Sequence, residues 1–252
     1  MALLDVVELV KQFAGLRAVD DVSFTVARGE LVGLIGPNGA GKTTLFNCIA
    51  GALRPTSGRV HLLGRDITGL DPVDIARLGL ARTYQNLRVF SDITVFDNVS
   101  VGAVGCHGVS LTATLLPWLS RARDERIAEA TLEALRRFDL LDQADQPAGN
   151  LAYGEKKLLE IARACALEPQ LLLLDEPAAG LNEGETADLC ERLLALRAGG
   201  LTILLVEHDM PMVMRLCDRI VVLETGQKIA DDTPAAVRAD PAVQAAYLGT
   251  AP

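Results

Sequence analysis

A glycine-rich segment in the first fifth of the chain has the composition of a phosphate-binding loop. Residues 36–43 read GPNGAGKT, which matches the spacing G-x-x-x-x-G-K-[ST]. The glycines let backbone N–H groups close around phosphate oxygens, Lys42 places a cation on them, and Thr43 offers a hydroxyl to Mg²⁺. The segment lies between a predicted strand and a predicted helix, as this motif requires. We therefore predict that it binds the phosphates of a nucleotide.

Two adjacent carboxylates follow an apolar run in the sequence LLLLDEP at 171–177. Asp175 is predicted to hold Mg²⁺ through water, and Glu176 to orient or deprotonate an attacking water. Taken alone, the segment is better explained as a buried strand that ends in solvated acids. The phosphate-binding loop elsewhere in the chain favours the catalytic interpretation.

Two further polar residues follow apolar segments. His208 ends the run in LLVEHDM, where the end of a parallel strand would direct it toward a ligand crevice. There it could donate to a γ-phosphate, although a single histidine is more often structural or exposed. Gln85, in ARTYQNLRVF, has an amide that suits a water near Mg²⁺, but exposed glutamines are common. These two residues are candidates only in the company of the loop and the carboxylates.

The alternation of apolar runs and helical patterns indicates the elements that position these residues. Strands are predicted at 19–26, 30–36, 170–176, 201–207 and 219–224, and helices at 42–50, from Asp71, after Gly154, and from Asn182 to about Leu196. Such apolar strands between helices predict a parallel sheet covered on both faces. Residues 88–150 break the alternation and are predicted to be a helical insertion, with capping-box spacing at Thr94–Asp97.

Composition limits the class of protein. With 252 residues, half of them hydrophobic, the chain is long enough for one large domain. Its net charge of −9 argues against a nucleic-acid partner. The five cysteines have no metal-ligand spacing, which indicates reduced, buried thiols and a cytosolic protein without a secretory signal.

Residues 98–120 contain no Asp, Glu, Lys or Arg. Their length would allow a membrane span, but three glycines, His107 and Pro117 make a poor one. We expect a helix and loop that dock on another protein.

Residues 150–164, NLAYGEKKLLEIARA, predict a second helix start with an adjacent glycine. The N-terminus of a helix favours anions because its first N–H groups have no partner within the helix. The chain would thus carry a second candidate phosphate site, in addition to the one at the glycine-rich loop.

In their order and sequence these segments resemble the ATP-binding cassette (ABC) ATPases, and the resemblance covers essentially the whole chain. Residues 36–43 resemble the Walker A motif, Asp175–Glu176 Walker B, Gln85 the Q-loop, His208 the switch histidine, residues 179–182 (AGLN) the D-loop, residues 150–164 the signature motif, and Lys11–Phe13 the aromatic loop. The resemblance implies that Phe13 stacks on adenine and that Val19 packs beside it.

In this family the signature helix faces the γ-phosphate held by a partner subunit. The resemblance therefore implies a head-to-tail dimer, of two copies or of this chain and a related ATPase, with ATP between the subunits. Ala152, Tyr153 and Glu155 replace the usual Ser, first Gly and Gln, whereas Gly154 remains. We expect Lys156 and Lys157 to offset part of the Glu155 charge. Asn182 stands where the D-loop usually has Asp.

The resemblance implies one α/β domain over residues 1–252, a P-loop NTPase of ABC type with a mostly parallel central sheet, an antiparallel N-terminal β subdomain and a helical insertion. The nucleotide-binding core would comprise residues 1–87 and 151–252, and the helical subdomain residues 88–150. ATP and Mg²⁺ are the implied cofactors. Catalysis is assigned to Glu176, His208 and Gln85. Mg²⁺ binding is assigned to Thr43, Gln85 and Asp175. Nucleotide binding is assigned to Phe13, Val19, Gly36, Pro37, Asn38, Gly39, Ala40, Gly41, Lys42, Thr43, Thr44, Ala152, Tyr153, Gly154 and Glu155.

Several segments together resemble one subgroup, the ATPase subunits of branched-chain amino-acid importers. They are the signature, Walker B and His208 segments, RTYQNLRVFSDITVFDN at 82–98 and the tail PAVQAAYLG at 241–249. This resemblance implies permease subunits, an indirect solute-binding protein and a place on the cytoplasmic face of the membrane. The alternatives are ABC ATPases for urea, lipid or lipopolysaccharide, a soluble ABC ATPase, or a nucleotide-gated module without turnover, against which Glu176 argues.

Overall fold

The structure, a computed structural model, describes residues 2–85, 87–107 and 117–248 and contains two β-sheets. The strands are β1 (Ala2–Phe13), β2 (Leu16–Ala27), β3 (Leu31–Ile35), β4 (Ser57–Leu62), β5 (Arg65–Asp66), β6 (Leu80–Arg82), β7 (Leu171–Asp175), β8 (Thr202–Val206), β9 (Arg219–Glu224) and β10 (Gln227–Asp232). The helices are α1 (Lys42–Ile49), α2 (Pro72–Arg77), α3 (Val95–His107), α4 (Pro117–Arg137), α5 (Tyr153–Cys165), α6 (Glu183–Ala198), α7 (Met210–Leu216), α8 (Pro234–Ala239) and α9 (Pro241–Leu248). Short 3₁₀ turns lie at Leu141–Gln143 and Ala148–Asn150.

The central sheet has the strand order β10-β9-β3-β8-β7-β6. Its strands β9, β3, β8, β7 and β6 are parallel, and β10 is an antiparallel edge strand. Every residue of β3, β7 and β8 is buried, because helices or the second sheet cover both faces. The second sheet, β2-β1-β4-β5, is antiparallel. The predicted fold class is therefore confirmed.

The central sheet separates two hydrophobic cores. Along β7, Leu171 and Leu173 pack into the core under the antiparallel sheet, whereas Leu172 and Leu174 pack into the core formed with the helices. Successive side chains of a strand point to opposite faces, so one apolar run serves both cores. Strands β7 and β8 run in register, with Asp175 beside Val206. The residues that follow these two strands consequently emerge next to each other.

Helices α3 and α4 make up most of the described residues 88–107 and 117–150, and α3 packs against α4 and against α5 of the core. The Asp97 N–H donates to the Thr94 hydroxyl at 3.0 Å, so the predicted cap is present. Of the charge-free segment, residues 98–107 belong to α3, while residues 108–116 lie outside the described residues. Within the described part of the chain, no helix is long and apolar enough to cross a membrane.

The cysteines whose side chains are described agree with the prediction of buried thiols. Cys48, Cys165, Cys190 and Cys217 are free and buried. Burial raises the pKa of Cys48 to about 11 and the pKa values of Cys165 and Cys217 to about 12. These thiols are therefore unreactive parts of the core.

Candidate functional site

A cleft of ≈ 340 Å³ lies at the carboxyl edge of the central sheet. Residues from several distant segments line it: Leu16, Arg17, Ala18, Asn38, Gly39, Ala40, Gly41, Lys42, Thr43, Thr44, Gln85, Glu176, His208, Thr225 and Gly226. The fold thus brings the glycine-rich loop and the three predicted catalytic residues into one cavity.

The glycine-rich loop is held against its surroundings so closely that side chains are excluded at two positions. A Cβ atom at Gly36 would lie 2.1 Å from the Leu223 carbonyl oxygen, and one at Gly41 would lie 2.2 Å from that of Ala18. Both glycines also have positive φ angles, 150° and 97°. The loop therefore keeps its backbone shape through contacts with β9 and β2, and α1 begins directly after it.

Lys42 lies inside the loop and is almost fully buried. Its ammonium group donates to the carbonyl oxygens of Gly36 at 2.6 Å and Pro37 at 3.0 Å. Burial lowers the pKa of Lys42, while the Glu176 and Asp175 carboxylates act in the opposite direction. A phosphate oxygen is a stronger acceptor for this cation than a neutral carbonyl.

Glu176 is held between the two other predicted catalytic residues. The Gln85 amide donates to Glu176 Oε2 at 3.1 Å, and His208 Nε2 lies 2.8 Å from Oε1. Because an ionised carboxylate only accepts, His208 Nε2 is assigned as the donor. Glu176 has φ 50°, and its N–H donates to the Val206 carbonyl at 2.9 Å. This turn after β7 directs the carboxylate into the cleft, where it can orient a water.

Asp175 is buried beside this site and is paired with Arg82, which sequence reasoning missed. Arg82 Nη2 donates to Asp175 Oδ2 at 3.0 Å, and Arg82 Nη1 donates to Asn47 Oδ1 at 2.6 Å. Burial raises the pKa of Asp175, and the Arg82 guanidinium opposes that shift. Arg82 ends β6, which pairs with β7 in the sheet, so the contact depends on strand pairing between distant segments.

Glu207 is a second buried carboxylate that sequence reasoning left out. It is 4% exposed, follows β8 directly and precedes His208. Its Oε1 accepts the Ala178 N–H at 2.7 Å, and its Oε2 accepts the His208 N–H at 3.0 Å. Burial raises the pKa of Glu207, and these backbone donors counteract the shift. The sequence signal was an acid that directly follows an apolar strand.

The residues predicted to contact adenine are in different environments. Phe13, at the end of β1, is 44% exposed, and the Lys11 ammonium lies 4.9 Å from its ring centre. Val19 has no exposed surface and packs in the core under the antiparallel sheet. The structure therefore does not bring Val19 to the cleft, because it points into that core, and Ala18 takes the place in the lining.

The signature helix α5 begins outside this cleft, and none of residues 152–155 lines it. Glu155 accepts the Ala152 N–H at 2.8 Å and the Gln143 amide at 2.7 Å. Lys156 donates to the Gly149 carbonyl at 2.8 Å and Lys157 to the Glu176 carbonyl at 3.3 Å. The lysines are thus hydrogen-bonded to carbonyls and Glu155 caps its own helix, while the offset of the Glu155 charge by Lys156 and Lys157 stays a prediction.

Contacts join the start of α5 to the loop between β7 and α6. The Tyr153 hydroxyl donates to the Ala179 carbonyl at 3.2 Å. A Cβ at Gly154 would lie 2.6 Å from Glu185 Oε1, so Gly154 allows α5 to approach α6 closely. Asn182 caps α6 as predicted, since its Oδ1 accepts the Glu185 N–H at 3.0 Å.

The donors near the glycine-rich loop suit Mg²⁺ only together with a phosphate ligand. Thr43 and Gln85 line the cleft and offer oxygen atoms, the ligand type that Mg²⁺ prefers. Asp175 lies beside them but is bonded to Arg82. In the described ranges, no cluster of three or more His, Cys, Asp or Glu residues could hold a metal ion alone. The arrangement therefore fits a cation that retains water and binds through a nucleotide.

The sequence profile of the family described as "ABC transporter" matches residues 19–179. A second profile, "Branched-chain amino acid ATP-binding cassette transporter", matches residues 227–252.

Relatives match over the full length. The high-affinity branched-chain amino acid transport ATP-binding protein LivG of Salmonella typhimurium (strain LT2) is 46% identical over 252 residues, 99% of this chain and 98% of that protein. BraF of Pseudomonas aeruginosa (strain PAO1), with the same description, is 44% identical over 251 residues, at 99% and 98% coverage. A crystal structure of the ADP conformation of MJ1267, an ATP-binding cassette of an ABC transporter, is 34% identical, with TM-score 0.86 and 99% coverage of both chains.

Proposed function

The chain belongs to the ABC transporter family, and we propose that it hydrolyses ATP to power a membrane importer of branched-chain amino acids. The observation that carries the enzymatic part is the position of Glu176, which lies between Gln85 and His208 in the cleft of the glycine-rich loop. The solute is suggested by full-length relatives with that transport description and by the matching C-terminal profile.

The phosphates of ATP bind to the glycine-rich loop. Lys42 exchanges its loop carbonyls for phosphate oxygens, and this exchange strengthens its bonds because the new acceptors are charged. Phe13, exposed at the end of β1, provides a ring for the adenine. Thr43 and Gln85 would hold Mg²⁺, with Asp175 acting through water. When bound, the ion would neutralise charge on the phosphates.

Glu176 orients the attacking water and accepts its proton. Gln85 and His208 contact the Glu176 carboxylate from either side, and these two hydrogen bonds limit the rotation of its side chain. His208 Nε2–H is also a donor for the γ-phosphate, and it can be shared between the phosphate and Glu176 because His208, Glu176 and the glycine-rich loop line the same cleft.

The start of α5 acts on the nucleotide of a second subunit. Residues 152–155 lie outside the cleft of their own chain, which supports this assignment. The partner is a second copy of this chain or a related ATPase, arranged head to tail. Each ATP then lies between a glycine-rich loop and the Gly154 region of the other subunit.

A cytoplasmic segment of the permease binds a groove of ≈ 240 Å³ between the core and α3. The groove and its rim present apolar side chains to solvent: Tyr84 and Val101 line it, and Val73 and Val104 are exposed on α2 and α3. Such a patch is typical of a protein interface. The subunit would be held in this way on the cytoplasmic face of the membrane, while a solute-binding protein contacts only the permease. The net charge of −9 on this chain disfavours a nucleic-acid partner.

Two measurements test the proposal. Purified chain should release phosphate from MgATP, with a rate that rises faster than linearly with protein concentration if two chains form the sites. A strain that lacks the gene should lose leucine uptake, and wild-type chain should restore uptake whereas Glu176→Gln should not. The proposed solutes would be excluded if the purified chain hydrolyses ATP but the strain without the gene takes up leucine, isoleucine and valine as the wild type does. That result would favour urea, a lipid, lipopolysaccharide or a soluble role.

A further inference from the structure

Glu207 connects the two loops that carry the catalytic carboxylate and the histidine. Its Oε1 accepts the Ala178 N–H from the loop after β7 at 2.7 Å. Its Oε2 accepts the N–H groups of His208 at 3.0 Å and Asp209 at 3.5 Å from the loop after β8. Each carboxylate oxygen therefore serves a different loop.

These contacts close a ring. From Glu176 the chain passes through Pro177 to Ala178, whose N–H bonds to Glu207, and the next residue, His208, returns to Glu176 through Nε2 at 2.8 Å. Loss of the Glu207 hydrogen bonds would free the loops after β7 and β8 from each other. The spacing of these two loops sets the contact between His208 and Glu176. Glu207 is 4% exposed, so water would not readily replace the lost bonds.

We propose that Glu207 is a positioning residue for hydrolysis: it fixes the spacing of the loops after β7 and β8, and thereby places His208 on Glu176. Glu207 touches neither the nucleotide nor the attacking water, and it acts through the backbone. This role goes beyond the proposed function and rests on it only where ATP turnover is the readout.

Glu207→Gln is the informative substitution because it nearly preserves volume. An amide has one accepting oxygen, whereas the two loops present N–H donors on both sides of the carboxylate. The amide nitrogen would therefore face a donor from one loop. We expect kcat to fall on the order of 10- to 100-fold, as for a small displacement of catalytic groups, with little change in KM.

A double-mutant cycle with His208→Ala separates positioning from general damage. In the His208→Ala background, Glu207→Gln should lower kcat further by less than about twofold, because its effect passes through His208. Glu160→Gln is the matched control, since Glu160 is also a buried carboxylate with 4% exposure. Its effect on kcat should multiply with that of His208→Ala, and thermal unfolding should report similar losses of stability for both Glu variants.

The histidine spectrum gives a readout that does not depend on turnover. The chain has only three histidines, so the ring signals of His208 and His61 can be assigned by substitution. Glu207→Gln should move the His208 ring signals in the same direction as Glu176→Gln does and leave those of His61 in place. Unmoved His208 signals, or kcat effects that multiply in the cycle, would overturn the positioning role. A wild-type chain that releases no phosphate would contradict the proposed function instead, and the spectrum would still decide the role of Glu207.

Discussion

Two helices of this chain begin near glycines that would suit an anion, and their first turns are completed in different ways. Helix α1 follows Gly41 without a capping side chain, and its first residues line an open cleft. At the start of α5, Glu155 accepts the Ala152 N–H, and Gly154 is packed against α6. The first helix start is therefore open to a ligand in the cleft of its own chain, whereas the second is stabilised by its own chain and does not line that cleft.

The lysines near the two helix starts also differ in their position relative to the cleft. Lys42, Lys156 and Lys157 all donate to backbone carbonyls, but of these three lysines only Lys42 lines the cleft. The cation near α1 can thus exchange its carbonyl partners for a phosphate in the cleft, while those near α5 hold neighbouring segments together. We therefore expect these two glycine-containing helix starts to perform different tasks, one in binding nucleotide and one in assembly.

Glu176→Gln should have the largest effect and would isolate chemistry from binding at the first site. Phosphate release should fall on the order of 10²- to 10⁴-fold, because the amide cannot accept the proton of water. Nucleotide affinity should change little, since the proposed nucleotide-binding residues, the glycine-rich loop and Phe13, are unchanged in this variant. Glu129→Gln on α4, at an exposed position, is the control for loss of a charge. Near wild-type phosphate release would remove Glu176 from catalysis.

Lys42→Ala and Lys156→Ala compare the cations of the two helix starts directly. Nucleotide affinity of the monomer, measured by titration, should fall on the order of 10- to 100-fold for Lys42→Ala, which loses charge-assisted bonds to phosphate. Lys156→Ala should leave this affinity unchanged, because Lys156 does not line the cleft and its ammonium donates to the Gly149 carbonyl. Equal losses for both variants would show that the two helix starts serve the same nucleotide.

Much of the first site could be predicted because its signals are local. The loop GPNGAGKT specifies its own turn, and the apolar runs before Glu176 and His208 predict parallel strands whose ends meet at one edge. The structure brings Gln85 to the same place. Helix caps at Asp71 and Asn182 were likewise readable from sequence, since capping depends on neighbouring residues.

The features that could not be predicted from the sequence depend on contacts between distant segments. Arg82 and Glu207 matter because of partners in the neighbouring strand and loop, and neither has a local motif. Val19 was assigned to the adenine site through the family resemblance, whereas its side chain points into the core under the antiparallel sheet. Strand β10, QKIADD, has no apolar alternation, because it is a largely solvent-accessible edge strand.

Glu155→Ala tests whether the second helix start is stabilised by its own chain. The loss of the bonds to the Ala152 N–H and the Gln143 amide should lower the free energy of unfolding by about 1 kcal/mol. In a chain of this length that corresponds to a fall of about 2–4 °C in Tm. Glu129→Ala serves as the exposed control. An unchanged Tm, or a gain in turnover, would support the original expectation that Glu155 is a charge near nucleotide.

Tyr153→Phe should have the smallest effect. It removes only the hydroxyl bond to the Ala179 carbonyl, and the side chain is 49% exposed, so water can replace part of that bond. We expect a loss of about 0.5 kcal/mol in the free energy of unfolding, measured by denaturant titration. Tyr153→Ser should cost more, because the ring against Gly180 is lost as well. Equal stability of the Phe and Ser variants would show that the ring contributes nothing.

The central claim, that the start of α5 completes a site on another chain, can be tested by mixing two inactive variants. Glu176→Gln lacks the catalytic carboxylate, and Gly154→Asp lacks the signature start; monomers of both should still bind ATP. In a head-to-tail dimer, a mixed pair has one site with Glu176 from one chain and Gly154 from the other. With random pairing, phosphate release should recover to about a quarter of the wild-type rate. No recovery in a mixture shown to contain mixed dimers would mean that Gly154 serves the nucleotide of its own chain.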